Sequence, residues 1–148
     1  MFKNILVPVD GSDYSLAAAQ TAVKMAETHQ STITLLHIVN HSQLLNMGSP
    51  LPQSMPLVTD VMISGLNEVG HKTIEGILEK LGPLTVPVET EVTWGNAAQV
   101  IVDLANEHIC DLIIMGSRGL SPISGMLMGS VSDRVVQLAK CPVMVIKK

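Results

Sequence analysis

The chain predicts an α/β fold: a doubly wound, five-stranded parallel sheet in the order 3-2-1-4-5, with helices on both faces. Three observations lead there. Short, almost continuously apolar runs recur along the chain, at 5–9, 32–39, 111–115 and 142–146. Between them lie longer segments whose apolar residues fall at helical spacing, and the two kinds alternate from one end to the other. Strands apolar on both faces need helices on both faces, and parallel neighbours need crossovers of helix length. The strand order is an assumption at this stage, adopted because it sets the first and fourth strands side by side.

Each element has its own justification. ILVPV (5–9) forms the first strand and stops at the turn-like DGSD. Over 13–29, Leu16, Ala19, Val23 and Ala26 recur at helical spacing, with Ser12 placed as the N-cap. TITLLHIV (32–39) is too continuous to be half exposed. Residues 40–56 mix polar side chains with three prolines and read as a variable loop, a lid or a mobile segment. A second helix covers 57–81, with Val61, Leu66, Val69, Ile74, Ile77, Leu78 and Leu81 as its apolar side and Gly82-Pro83 as its stop. VPVETEVTW (86–94) alternates with period two, so Glu89 and Glu91 read as a wet strand face rather than a catalytic pair. Gly95-Asn96 opens a helix carrying Val100, Ile101, Leu104 and Ala105. DLIIM (111–115) is a buried strand, 130–139 the last helix and PVMVI (142–146) the last strand. The whole of 1–148 is one domain of Rossmann-like type, without internal repeat or linker.

Composition narrows the function. With 148 residues, 47% of them apolar and 15% charged, the chain can bury a substantial core. The net charge is −4, and Phe, Trp and Tyr occur once each. A basic stripe and a stacking platform are both missing, so nucleic acid is not an expected partner. Apolar runs reach about five residues, far short of the roughly 20 that span a bilayer, so no membrane is expected. MFKNILVPVD lacks a signal-peptide core, which points to the cytoplasm. Cys110 and Cys141 have no C-x-x-C spacing and read as small buried thiols in a reducing compartment. The histidines at 29, 37, 41, 71 and 108 lack metal-site spacing; only His37 and His41 straddle a strand end.

Ligands of open α/β sheets bind beyond the carboxyl ends of strands, where the winding reverses. Two loops with unusual chemistry leave such ends: Val9-Asp10-Gly11-Ser12, and MGSRGLSPISGMLMGS at 115–130. The second holds Gly116, Gly119, Gly125 and Gly129. It is neither a G-x-x-x-x-G-K-[ST] loop nor a G-x-G-x-x-G fingerprint, since no glycine precedes a lysine and no G-x-G occurs. What remains is Gly116-x-x-Gly119, nine residues, then Gly129-Ser130 at a helix start. Bare backbone lets amides approach an anion, and the helix adds free N–H groups and the positive end of its dipole. Ser130 and Ser132 add hydroxyls, and Arg118 is the segment's one cation. Competing readings are local. Asp10 can hold the DGS turn or cap the helix instead of touching a ligand. Ser130 with Asp133 forms an S-x-x-D capping box, which would leave Ser132 for the phosphate. Arg118 reads equally as a solvated loop charge, Gly125 as a plain turn, and Met126, Leu127 and Met128 as packing.

The spacing resembles the ATP-binding type of universal stress protein, whose motif G-2x-G-9x-G-[ST] is met by Gly116, Gly119, Gly129 and Ser130. The flanks ILVPVDGS, DLIIMGSRG, GSVSDRVV and CPVMVIK are similar to that family as well, so the likeness covers the chain apart from 40–56. The resemblance implies that Pro8, Val9 and Asp10 line the adenosine end, with Asp10 accepting from ribose hydroxyls. Val39 would pack on adenine. Met115, Gly116, Arg118 and Gly119 would surround the ribose and inner phosphate, and Gly129, Ser130, Val131 and Ser132 the outer phosphates. The implied cofactor is ATP or a related adenine nucleotide, with a divalent ion such as Mg or Mn carried mainly by phosphate oxygens and water. The implied role is regulatory, in stress response: nucleotide changes loop 116–129 and whatever protein partner docks there. A homodimer through the edge strand 142–146 is expected too. Two alternatives stand beside this reading. One is a slow ATPase or nucleotide-transfer enzyme, although the segment lacks the lysine and water-orienting residue that fast phosphoryl transfer uses. The other is a dimeric protein-interaction module without nucleotide.

Overall fold

A computed structural model describes residues 1–39, 56–120, 125 and 127–148, with the backbone alone for 56–62. The expected loop therefore lies, up to residue 55, outside the described residues. The elements alternate as β1 (Asn4–Pro8), α1 (Asp13–His29), β2 (Thr32–Val39), α2 (Pro56–Leu81), β3 (Val88–Trp94), α3 (Ala97–Glu107), β4 (Leu112–Gly116), α4 (Ser130–Leu138) and β5 (Val143–Ile146). All pairings are parallel, as the strand patterns predicted, and the order is β3-β2-β1-β4-β5, the one assumed from the sequence. Helix and strand ends differ from the sequence reading by a residue or two, the ordinary uncertainty of frayed termini.

The period of two along each strand divides the core. Ile5, Val7, Ile33, Leu35, Leu112 and Ile114 face the side covered by α1 and α2. Leu6, Leu36, Ile113 and Met115 face the other side, where Ala98, Ile101 and Ala105 of α3 and Val135 of α4 close over them. Alanines at 18, 19, 22 and 26 of α1 are fully buried, so the helix backbone lies close on the sheet. The closest approach is at the end of β4. A Cβ added to Gly116 would stand 2.7 Å from Tyr14 Cβ and 2.9 Å from its backbone carbon. At the opposite end of the sheet, the Asp111 carboxylate accepts from the Lys3 and Asn4 amides and ties β1 to β4.

The strand order makes the β1–β4 boundary the point where the winding reverses: α1 and α2 cover one face, α3 and α4 the other. The carboxyl ends of β1 and β4 both open there, as a ligand crevice requires. No helix among the described residues is long and apolar enough to cross a membrane.

Candidate functional site

Val9 extends the first strand by one residue. Its amide donates to the Leu36 carbonyl at 2.8 Å, and its carbonyl accepts from His37 Nδ1 at 2.8 Å. Asp10-Gly11-Ser12 then turns the chain into α1. Gly11 sits at φ +83°, a left-handed conformation that favours glycine. Asp10 Oδ1 accepts from the Ser12 amide at 2.9 Å, and the Ser12 hydroxyl caps α1 by accepting from the Ser15 amide at 3.1 Å. The local reading of Asp10 as a turn holder is therefore correct, but it covers only half of the carboxylate. Oδ2 accepts from the Leu120 amide at 3.1 Å and binds the glycine-rich loop to the tip of β1. Gly119 makes that approach possible, because a Cβ there would lie 2.7 Å from Oδ2.

The loop after β4 is closed at its neck. The Ser117 amide donates to the Ile146 carbonyl at 2.8 Å, and the Ser117 carbonyl accepts from the Gly129 amide at 2.7 Å. The Ser132 hydroxyl, 3% exposed, reaches the carbonyls of Ser117 at 2.9 Å and Gly129 at 3.0 Å. The competing capping box does not form: Gly129 is the N-cap and makes no side-chain cap bond, while Ser130 is already helical. The two serines thus exchange the roles that the competing capping-box reading gave them. Ser132 braces the loop from inside, and the exposed Ser130 hydroxyl makes no hydrogen bond among the described residues. The amides of Ser130, Val131 and Ser132 likewise have no partner there, leaving the positive end of the α4 dipole uncapped.

These groups surround a cavity of about 500 Å³. Pro8, Val9, Asp10, Met115, Gly116, Arg118, Gly119, Gly129, Ser130, Val131 and Ser132 all line it. Of the residues assigned to the site from the sequence, Val39 alone is outside that lining: it is buried, and its carbonyl accepts from the Gly95 amide at 3.3 Å. The β2 wall comes instead from Leu36, His37 and Ile38, with Ile101 of α3 and Val69 and Thr73 of α2 added. Sequence reasoning missed these because a residue's place at a cavity mouth depends on contacts far away in the chain. One signal was available, the single ionisable residue His37 inside TITLLHIV. Leu127 is 77% exposed and does not pack the loop down, whereas the half-buried Met128 does line the cavity; Met126 falls outside the described residues. Gly125 is a turn at φ +87°, as expected.

The chemistry of the cavity is graded. Uncapped amides and a hydroxyl at α4 suit an anion, the Asp10 carboxylate suits hydrogen-bond donors, and Val9, Leu36, Ile38, Ile101 and Met115 offer an apolar wall. Among the described residues no three His, Cys, Asp or Glu side chains cluster to hold a metal ion, and His41 lies outside them. Both thiols are free and absent from the cavity lining. Burial, with smaller contributions from Cys141 and Asp111, pushes the Cys110 thiol up to about 11, so it stays neutral and unreactive near pH 7.

Comparison with known proteins places this arrangement. The model of the universal stress protein family matches residues 1–147. Universal stress protein MJ0531 of Methanocaldococcus jannaschii is 33% identical over 148 residues, covering 100% of this chain and 84% of its own. Universal stress protein YxiE of Bacillus subtilis is 33% identical, covering 99% of this chain and 100% of its own. Among solved structures, UspA of Lactobacillus plantarum superposes with a TM-score of 0.80 at 29% identity, over 98% of this chain and 97% of its own. Two more distant structures share the fold, a universal stress protein in complex with cAMP (TM-score 0.62) and one from Archaeoglobus fulgidus in complex with dAMP (TM-score 0.63).

Proposed function

The chain belongs to the universal stress protein family, and on that premise we propose that it is an adenine-nucleotide-binding regulatory protein whose full-length ligand is ATP. One observation carries the reading. The three partnerless amides of Ser130, Val131 and Ser132, at a helix start with no side-chain cap, open on the same cavity as Asp10 and an apolar wall. A nucleotide needs those three environments in that order: anion, hydroxyl-bearing sugar, flat apolar base. Asp10 can serve the ribose while keeping its two backbone bonds, because an ionised carboxylate offers about four acceptor positions. The cAMP and dAMP complexes of proteins with this fold support an adenine nucleotide in particular. A Mg or Mn ion would ride on phosphate oxygens and water, since the described side chains supply no cluster for it.

The site is proposed to hold its ligand rather than to turn it over. Both Asp10 oxygens already accept from backbone amides, which suits a fixed acceptor better than a proton-shuttling base. The homodimer is part of the proposal as well: β5 is the sheet edge beside β4, and Val143, Met144, Val145 and Ile146 are all half-buried in the single chain.

The test is direct. Protein purified without added nucleotide and then heat-denatured should release close to one adenine nucleotide per chain. Nucleotide-free protein should gain about 5–10 °C in Tm with ATP at a hundred times Kd. No released nucleotide together with no thermal shift refutes the reading. Single-turnover conversion of bound ATP within minutes would replace holding with catalysis, and a monomer by light scattering at micromolar concentration would remove the dimer.

A further inference from the structure

We propose that His37 reads the base: its Nε2 accepts a hydrogen bond from the exocyclic amino group of adenine, and so favours adenine over purines that lack a donor at that position. The inference rests on the nucleotide reading above and adds a specificity-determining residue to it. His37 is 7% exposed, and Nδ1 lies 2.8 Å from the Val9 carbonyl. A carbonyl can only accept, so Nδ1 carries the proton. In the neutral imidazole Nε2 is then an acceptor.

Nε2 has no partner among the described residues, and His37 is one of the residues that line the cavity. No side-chain nitrogen or oxygen among those residues is both sealed from solvent and unpartnered, so Nε2 keeps access to solvent. The ring cannot swing to satisfy it elsewhere. Val9 holds one edge, and α2 presses on the other at Gly70, where an added Cβ would be 3.1 Å from His37 Cδ2. Position in the cavity decides which ligand group meets it. Phosphates belong at the α4 amides and the sugar at Asp10, which leaves the base for the β2 wall. The wall that His37 shares with α2 holds Val69 and Thr73, while Leu36 and Ile38, its neighbours along the strand, face the opposite side of the sheet. A base buried against that wall must find a partner for its polar edge, and adenine offers the N–H that an acceptor-only nitrogen requires.

The experiment compares ATP with purine riboside 5′-triphosphate, which lacks the amino group and adds no bulk, on the wild-type protein and on His37→Asn. The asparagine amide can still donate to Val9 but leaves no ring acceptor. Wild type should bind ATP about five- to tenfold more tightly than the analogue, and His37→Asn should bind the two equally. In wild type, the ¹⁵N resonance of His37 Nε2 should move on adding ATP and stay in place with the analogue, a readout that needs no folded variant. Equal wild-type affinities, an unmoved resonance, or a preference that survives His37→Asn would overturn the inference. In each of those cases ATP still binds and the nucleotide reading stands; wild-type protein that binds neither compound overturns both.

Discussion

Replacing Gly116 with alanine separates packing from ligand binding in the glycine-rich segment. Gly116 is not among the glycines with positive φ, so an alanine there meets no backbone strain. The cost is contact. The new Cβ would lie 2.7 Å from Tyr14 Cβ, 2.9 Å from its backbone carbon and 3.0 Å from its carbonyl oxygen. Ordinary carbon contacts begin near 3.5 Å, so the first turn of α1 must move off β4 by nearly 1 Å. The helix resists, because its alanine stripe is packed at full burial along the same sheet. Overpacking of this kind costs about 1–3 kcal/mol, and the entropy that alanine removes from the unfolded chain returns about 0.4–1 kcal/mol. The expected net loss is about 1–2 kcal/mol, or roughly 3–8 °C in Tm for a domain of this size. Urea and thermal unfolding of nucleotide-free protein, followed by far-ultraviolet circular dichroism, measures it. A Gly116→Ala protein as stable as wild type would show that α1 does not bear on β4 as described.

Other substitutions separate neighbouring roles. Gly119→Ala meets the end of a side chain, Asp10 Oδ2 at 2.7 Å, which can rotate away. Stability should stay within about 1 kcal/mol of wild type while calorimetry shows ATP affinity falling about tenfold, since Asp10 is displaced. Ser130→Ala should leave Tm unchanged and weaken ATP binding a few-fold. Ser132→Ala should instead lower stability by about 1 kcal/mol in nucleotide-free protein, because its hydroxyl braces Ser117 and Gly129. Alkaline pH should destabilise the fold through Cys110. The unfolded thiol deprotonates near its ordinary value of 9.0 while burial lets the folded one hold its proton to about 11. The unfolded state therefore binds fewer protons across that window, and stability present below pH 9 is lost as pH rises toward 11. With allowance for partial screening the loss is about 1–2 kcal/mol, and denaturation of Cys110→Ala across the same range should lack that part of the slope.

How much of this was legible beforehand depends on the range of the interactions involved. Ser12 as the cap of α1, the opening of α3 at Gly95-Asn96 and the burial of the strands on both faces follow from neighbours a few residues apart, and a sequence shows those directly. The strand order had to be assumed because no local pattern contains it. The errors lie where a short-range rule met a long-range partner. A serine followed three residues later by an aspartate reads as a capping box, yet the helix starts at Ser130, as its own pattern predicted, and the cap position falls one residue earlier on Gly129, whose amide pairs with Ser117. That displacement uncaps the amides that an anion needs, so the failed local rule marks the candidate site.

The same reasoning divides the four glycines of residues 115–130, which look alike in sequence. Gly116 is required by Tyr14, which is 102 positions away, and Gly119 by Asp10, which is 109 positions away. Gly125 serves a left-handed turn with open space around it. Gly129 has only ordinary contacts, the nearest at 3.6 Å, so a methyl group fits there in the single chain. If its bareness matters, the reason must be a ligand over the α4 amides. Gly129→Ala is therefore expected to fold normally and to lose nucleotide affinity by an order of magnitude or more. Unaltered ATP binding in that variant would detach the spacing of the motif from the phosphates it is proposed to hold.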